Sequence, residues 1–450
     1  MFFVWLFARL GLRWLWAKVR GKKYRPLKNE RLVRRMFEIL GPTFIKLGQV
    51  VASSPGLFPK RYSDEFQKCL DRVPPFEVEK VKALIAEDLG KPCEELFASF
   101  EDEPLGSASI AQVHGAVLKD GTQVVVKCQR PGIQGMVEAD IWWMRRGAWV
   151  TELLFKGARL ANMTGVIDDF NRTIHEEIDF TKEAANLREF NQIMDEHTIV
   201  DVMAPTPVDE MVTTRVLVMG RFEGLKADDA KGIEDSGMDA SMYLRKGLKA
   251  WLLTVALHGF FHGDAHAGNL MLMPDAGPDG GPAVGFLDFG IIGRFSDHQR
   301  QQVMKYVLAF SAQDYAALAE IMAEMGSVDT KNMDKEKFVG DLQRTYSPLV
   351  EKKISDIKYE EILPEVTTIA YKWGIKLPSE FLLILKQLLF FDRYAKIAAP
   401  DLNVFSDFYL VDFMFTPRAM KAGLDFNQLM PLLQQIQQRN MQKQAEAAKG

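Results

Sequence analysis

The sequence predicts an α+β fold of two lobes, and three short segments far apart in the chain predict it: Val124-Val-Val-Lys127, His262-Gly-Asp264-Ala-His-Ala-Gly-Asn269 and Leu287-Asp288-Phe-Gly290. Together they supply what phosphoryl transfer asks for: a lysine on the phosphates, a carboxylate and an amide on the metal ions, and a second carboxylate near the attacking oxygen. They stand in the order in which protein kinases carry them. The expected fold is therefore bilobal and protein-kinase-like, with helices added before and after it.

Spacing says more than residue type. Asp264 and Asn269 form D-x-x-x-x-N, the interval between the base and the metal-binding amide of a kinase catalytic loop. The apolar runs Asn269-Leu-Met-Leu-Met273 and Ala283-Val-Gly-Phe-Leu287 flank a Gly/Pro-rich stretch and read as a hairpin. It sets Asn269 at the start of one strand and Asp288 at the end of the other, so both can face one metal pair. Asp-Phe-Gly alone is a weak signal; behind D-x4-N and a strand lysine it is a strong one.

Lys127 has a hairpin of its own. Ala116 to Lys119 and Thr122 to Lys127 flank Asp120-Gly121, a pair suited to a tight type I′ turn. Lys127 is expected at the end of the second strand, with Val124 and Val126 on the opposite face. A carboxylate to hold its ammonium is sought in residues 168–190, read as helical. On one continuous helix Asp179 and Glu183 share a face, whereas Glu177 lies about 200° round from Asp179 and serves another partner.

With these segments in place the chain resembles the UbiB family of atypical kinases, also described as ABC1-like or AarF-like. Lys46-Leu-Gly-Gln49 is similar to the family's K-x-G-Q motif, Pro104 to His114 to its alanine-rich loop, and Glu177-Ile-Asp179 to its E-x-D motif. The likeness runs from about Lys46 to Phe295. It implies that Lys127 holds the α- and β-phosphates of ATP, with Glu183 as its ion-pair partner, and that Asn269 and Asp288 bind Mg²⁺. Asp264 becomes the catalytic-loop carboxylate, and Met219 the hinge that meets adenine through backbone. The resemblance further implies that the N-terminal extension folds over the active site, where Lys46 pairs with Glu177 and blocks a protein substrate; Gln49 and Asp179 belong to the same regulatory set.

The phosphate-covering loop points the same way. Gly106-Ser107-Ala108-Ser109 replaces the G-x-G-x-x-G that lets backbone amides approach phosphates closely, and Ala108 and Ser109 add Cβ atoms. The nucleotide is expected in an altered pose that favours slow hydrolysis or a small acceptor; the alternative is a plain β-turn ahead of a strand. Gly106 and Ser107 depart from the family's frequent alanines, as do Gly263, Ala265 and Ala267 from its catalytic segment and Gly220 from its hinge.

Other chemistries find little support. A net charge of −4 and a pI near 6.1 offer no general attraction to nucleic acid. There is no G-x-x-x-x-G-K-[ST] loop. Cys69, Cys93 and Cys128 lack C-x-x-C spacing, so neither a disulfide framework nor zinc is suggested, in keeping with a reducing cytoplasm. His262 and His266 are four apart, but Gly263 stands where a zincin has glutamate.

Met1 to Trp16 is rich in aromatics yet interrupted by Arg9 and Arg13, and Lys18, Arg20, Lys22, Lys23, Arg25 and Lys28 follow. It is too short and charged to span a bilayer comfortably and lacks the basic start of a signal peptide. An interfacial anchor on anionic lipid fits, with indoles in the headgroup layer; a buried core helix is the alternative. Helices are expected over residues 30–40, 62–70, 77–89, 242–258, 301–311, 315–325 and 380–394, and the Gln-rich tail 426–449 carries an apolar stripe.

The expected organisation is an anchor (1–28), a helical extension with K-x-G-Q (29–103), a kinase-like N-lobe (104–223) and C-lobe (224–345), and a C-terminal helical region (346–450). The function expected is that of an ATP- and Mg²⁺-dependent kinase-like enzyme, cytoplasmic and peripherally bound to membrane. The resemblance places it in isoprenoid quinone or other prenyl-lipid metabolism. Two rivals stand beside it: a protein kinase, and a nucleotide-switched lipid-extraction or scaffold protein.

Overall fold

The computed structural model describes residues 29–53, 60–66, 74–154, 162–311, 313–326, 334–350 and 407–423, with a few further positions such as Ile384, Gln387 and Phe391. The chain divides into two compact units, residues 1–73 and 74–450. Of the expected elements, Met1 to Trp16, the tail 426–449 and most of 380–394 lie outside the described residues, although Ile384, Gln387 and Phe391 are helical. Among the described residues no helix is long and apolar enough to cross a membrane.

In the first unit the helices Asn29–Leu40, Pro42–Ser53 and Lys60–Phe66 gather round Ile45, Val51 and Phe66, with Phe37 edge-on to Phe66 at 4.9 Å. Gly41, at φ +106°, and Pro42 separate the first two. Proline suits a helix's first turn because its missing N–H has no partner there in any case. Lys46 and Gln49 lie three apart on the second helix, both half-buried.

The second unit opens with the helix Val78–Leu89, capped by Gly90 in the left-handed conformation (φ +71°). Its Val81, Leu84 and Ile85 pack on one face of an antiparallel sheet. The sheet runs β1 (Phe97–Phe100), β3 (Ala111–Leu118), β4 (Gln123–Gln129), β7 (Val216–Gly220), β6 (Pro207–Val212), and the short β2 (Gly106–Ser107) pairs with β3. The β3–β4 connection is not a two-residue type I′ turn. Gly121 alone of its pair has positive φ (+91°), its N–H donates to Leu118 O, and Asp120 instead accepts from Thr122 N–H at 2.9 Å. A loop one residue longer needs a single left-handed position. Lys127 consequently lies inside β4 rather than at its end, with Val124 and Val126 on the opposite face as expected.

Residues 168–190 are not one helix. Met163–Glu177 ends at Ile178, and Phe180–Glu196 begins anew with Asp179 as its N-cap, accepting from Thr181 N–H at 3.2 Å. The Asp179 carboxylate thus satisfies its own helix's first turn. The argument that Asp179 and Glu183 share a face fails at this break. The long helix Ile133–Leu154, between Lys127 and Glu183 in sequence, packs on Met163–Glu177.

A second sheet has the order β5 (Val202–Met203), β11 (Ala283–Phe286), β10 (Leu270–Met273), β8 (Leu225–Lys226). The β10–β11 pair is the hairpin read from sequence. β5, sequentially among the first lobe's residues, runs parallel to β11 and belongs to this sheet. Beneath it Ala240–Leu253 continues as a π-helical turn, Thr254–His258, closed by Gly259 at φ +63°. β9 (Phe260–His262) and β12 (Ile292–Arg294) form a small ladder, and the helices Asp297–Ser311, Tyr315–Met325 and Lys335–Val350 follow.

Gly224 enters β8 at φ +158°, and a Cβ there would lie 2.2 Å from the backbone oxygen of Leu272 on β10. Gly224→Ala should therefore lower stability by about 2–4 kcal/mol, read as a fall in the thermal unfolding midpoint.

Candidate active site

Register decides what β4 presents to each side. Gly106, Val113, Lys127 and Leu217 fall in one cross-strand row over β2, β3, β4 and β7, and Val125 pairs with Met219 two residues on. Directly opposed residues share a face, and so do residues two apart. Lys127, Val125 and Met219 therefore occupy one face, whereas Val124, Val126, Cys128, Val216 and Val218 fill the core under Val78–Leu89. A cation stands among apolar side chains at the face next to the Gly106–Ser109 hairpin.

Lys127 Nζ is almost buried and has two carboxylates. It lies 2.8 Å from both oxygens of Glu183 and 3.0 Å from Asp288 Oδ1, with the Phe180 ring centroid 5.3 Å away. Burial pushes the ammonium's pKa down, but Asp288 and Glu183 together outweigh burial and hold it above the usual lysine range. Burial dominates at Glu183 and raises its pKa in spite of Lys127. Glu183 is 2% exposed, whereas the Asp288 side chain is half exposed. Asp288 also has φ +54°, a conformation that a non-glycine residue adopts at a cost of roughly 1–3 kcal/mol and that recurs where function over-determines the backbone.

The segments around Asp264 and Asp288 are clasped together by His262. Its Nε2 donates to Leu287 O at 2.8 Å, and its Nδ1 accepts from Asp264 N–H at 3.1 Å, a pairing only the neutral ring can make. Burial lowers its pKa and keeps it neutral. Asn269 donates Nδ2–H to Asp264 O at 3.0 Å, which leaves its amide oxygen for other work. His266 Nε2 stands 3.9 Å from Asp264 Oδ2. Gln387, fully buried, accepts from Ala265 N–H at 2.8 Å and donates to Gly263 O, so a C-terminal helical position holds both sides of the Asp264 loop.

Phe289 ties the same region to Glu183. Its buried ring meets Phe190, on Glu183's helix, at 5.0 Å and His262 at 4.8 Å, and its carbonyl accepts from Asn186 Nδ2 at 3.0 Å. Glu177, also buried, has its Cγ 4.0 Å from where a Cβ at Gly290 would stand. Over the hairpin loop, Arg130 donates to Ala108 O at 3.2 Å and Ser109 O at 3.3 Å. Ala108 N–H donates to Ala111 O, so the loop is a β-hairpin tip, with Ser109 buried and Gly106 and Ala108 exposed. A Cβ at Gly106 would meet nothing within 4 Å, so alanine is sterically admissible there.

The donors suit a hard divalent cation. The exposed carboxylate of Asp288 and the amide oxygen of Asn269 suit magnesium, which takes few protein ligands and completes its octahedron with water and ligand oxygens. Among the described residues no three His, Cys, Asp or Glu side chains converge into a protein-only metal cage.

The model of the ABC1 atypical kinase-like domain matches residues 68–322, and that of the UbiB helical domain matches 342–403. This chain belongs to the UbiB family of atypical kinases. "Probable protein kinase UbiB" of Pseudomonas fluorescens strain Pf-5 is 31% identical over 401 residues, covering 89% of this chain and 74% of that one. The uncharacterized protein Rv0647c of Mycobacterium tuberculosis is 39% identical over 373 residues, 82% of this chain and 75% of its own. The solved structure of Rv3197 with erythromycin, also from M. tuberculosis, superposes with a TM-score of 0.56 over 87% of this chain and 95% of that one, at 23% identity, a likeness of fold. The fold is thus the kinase-like one expected from sequence. Gln387 falls within the UbiB helical domain, which therefore reaches the Asp264 loop directly.

Of the residues singled out in the sequence, Lys127, Glu183 and Asp288 are in contact, Asn269 is bonded to the backbone of Asp264, and Gly106 on β2 and Met219 on β7 lie on the Lys127 face of the sheet. Asp179 is the cap of Glu183's helix and does not share a helical face with it as expected. Sequence reading missed His262, Gln387, Asn186 and Arg130. His262 precedes Gly263-Asp264 where a kinase catalytic loop has its own histidine, so its signal was present; the others act on backbone from distant segments and leave no local pattern.

Gln387→Met keeps the volume but leaves Gly263 O and Ala265 N–H without partners. Amide hydrogen exchange across residues 263–269 should accelerate in proportion to a local loss of about 2–4 kcal/mol.

Proposed function

We propose that this UbiB-family protein binds ATP with Mg²⁺ and acts as an ATPase or small-molecule kinase. The observation that supports it best is Lys127 held between Glu183 and Asp288 at 2.8 and 3.0 Å, on the sheet face that adjoins the Gly106–Ser109 hairpin. In this reading Lys127 binds the α- and β-phosphates while Glu183 keeps its ammonium in place. Asp288 and Asn269 hold Mg²⁺, which when bound neutralises charge on the phosphates. Asp264, its backbone pinned by His262 and Asn269 and its two neighbours held by Gln387, aims a carboxylate at the attacking hydroxyl or water. Val125 and Met219 supply an apolar bed for adenine, and Met219 and Gly220 offer backbone at the hinge.

A hairpin tip with Cβ atoms at Ala108 and Ser109, its carbonyls gripped by Arg130, gives phosphates less backbone amide than a glycine-rich loop does. Slow turnover follows. Buried Glu177, beside Gly290, is the carboxylate proposed to receive Lys46 when the K-x-G-Q helix covers the cleft; Gln49 lies on the same helix. A covered cleft disfavours peptide substrates.

The kinship with proteins named UbiB supports a role in isoprenoid quinone or other prenyl-lipid metabolism. The protein is further proposed to act at the cytoplasmic face of a membrane. The Trp- and Lys/Arg-rich residues 1–28 are proposed as its contact with anionic lipid.

ATP hydrolysis by the purified protein, with and without anionic vesicles, tests the reading. Asp288→Asn should reduce turnover at least about a hundredfold by weakening the metal site, and chelating Mg²⁺ should do the same to wild type. Removing residues 1–20 should reduce stimulation by lipid but not the basal rate. Peptide phosphorylation that appears on Lys46→Ala would favour a protein kinase instead. ATP binding that alters lipid affinity with no turnover under any condition would favour a nucleotide switch.

A further inference from the structure

The helix Ile133–Leu154 is apolar on two opposite sides. Ile133, Val137, Ile141, Met144 and Ala148 are buried and fall within a narrow arc. Across the helix, Trp142, Trp143, Trp149, Val150, Leu153 and Leu154 fall within an arc of about 140° at 3.6 residues per turn, and all are exposed. Trp143 and Leu154 are each 67% exposed, and Trp149 is 61%. An ordinary surface helix has a single apolar stripe, so the second one calls for a second partner.

The chemistry of that stripe selects the partner. Its middle holds one charged residue, Arg146, whose guanidinium carbon lies 3.8 Å from the Trp142 ring centroid. Along one flank an open cleft of about 700 Å³ is walled by Trp142, Trp149, Arg145, Arg146 and His175, with the acidic Glu138 also in its wall. Indoles with arginines at their edges suit the water–hydrocarbon boundary, where the ring sits among headgroups and the cation meets phosphate. The stripe lies along a single helix, which can rest flat on a surface. Residues 1–28 repeat the composition, with Trp5, Trp14 and Trp16 among basic residues.

We propose that the exposed face of Ile133–Leu154 is a membrane-docking surface for anionic lipid, separate in sequence from the N-terminal segment. Trp143, Trp149, Leu153 and Leu154 enter the interface, and Arg146 meets the headgroup phosphate. This inference rests on the membrane reading above but not on turnover. It gives that reading a route: the helix follows β4, which bears Lys127, and packs on Met163–Glu177, which ends in Glu177.

The test is cosedimentation of the full chain with vesicles of phosphatidylcholine, alone or mixed with phosphatidylglycerol. The variants are the triple substitution Trp143→Gln, Trp149→Gln, Leu153→Gln and the single Arg146→Gln; the triple changes only exposed side chains, and thermal unfolding checks that the fold is kept. The triple variant should bind mixed vesicles about tenfold or more weakly, in the full chain and in a chain lacking residues 1–20. Arg146→Gln should narrow the difference between the two vesicle types. Unchanged partitioning of the triple variant overturns the proposal. So does a drop in its mass in lipid-free solution, which would assign the face to a second copy of the chain. If partitioning falls as expected while wild type never hydrolyses ATP, the enzymatic reading fails and the docking surface stands.

Discussion

The rest of the site depends on one nearly buried ammonium. Lys127 is taken out of water on the inner face of a sheet, and a charge so placed is tolerable only with counter-charges in contact. Glu183 and Asp288 provide them from segments 56 and 161 residues away. Removing Glu183 leaves the ammonium only the half-exposed, solvent-screened carboxylate of Asp288. The pair therefore fixes the helix Phe180–Glu196 to the sheet and draws the Asp288 segment toward both.

The half-exposed Asp288 is the side of this arrangement able to change. Solvent screens its carboxylate, whereas that of Glu183 is buried against Lys127. Phe289, packed between Phe190 and His262, keeps the neighbouring backbone still while Asp288 holds a left-handed φ. Apolar packing thus offsets the backbone strain that aims the acid.

Backbone groups of the Asp264 loop are satisfied by side chains from three directions: His262 from β9, Asn269 from the loop's own end, and Gln387 from the UbiB helical domain. An irregular loop in the interior has no ladder to pair with, so such side chains replace it. The helical domain is in this way part of the Asp264 loop's support.

Much of this was legible in the chain alone. Lys127, D-x4-N and Asp-Phe-Gly are local patterns whose residue types have few other reasons to stand at those intervals, and alternation or 3.6-residue periodicity marked the β10–β11 hairpin and the helices at 78–89 and 315–325 with nearly correct ends. The break at Asp179 was not legible, because Asp is compatible with a helix interior and with a cap, and only the turn toward Lys127 selects the cap. Nor was the type of the β3–β4 loop, which hung on a one-residue difference in its length. Sequence by itself determined the family and singled out the groups proposed for chemistry, since chemistry needs particular side chains at particular spacings. Tertiary structure alone decided which carboxylate meets Lys127, that Gln387 clasps a loop more than a hundred residues away, and that one helix bares a second apolar face, because burial and hydrogen-bond satisfaction are settled only when distant segments meet.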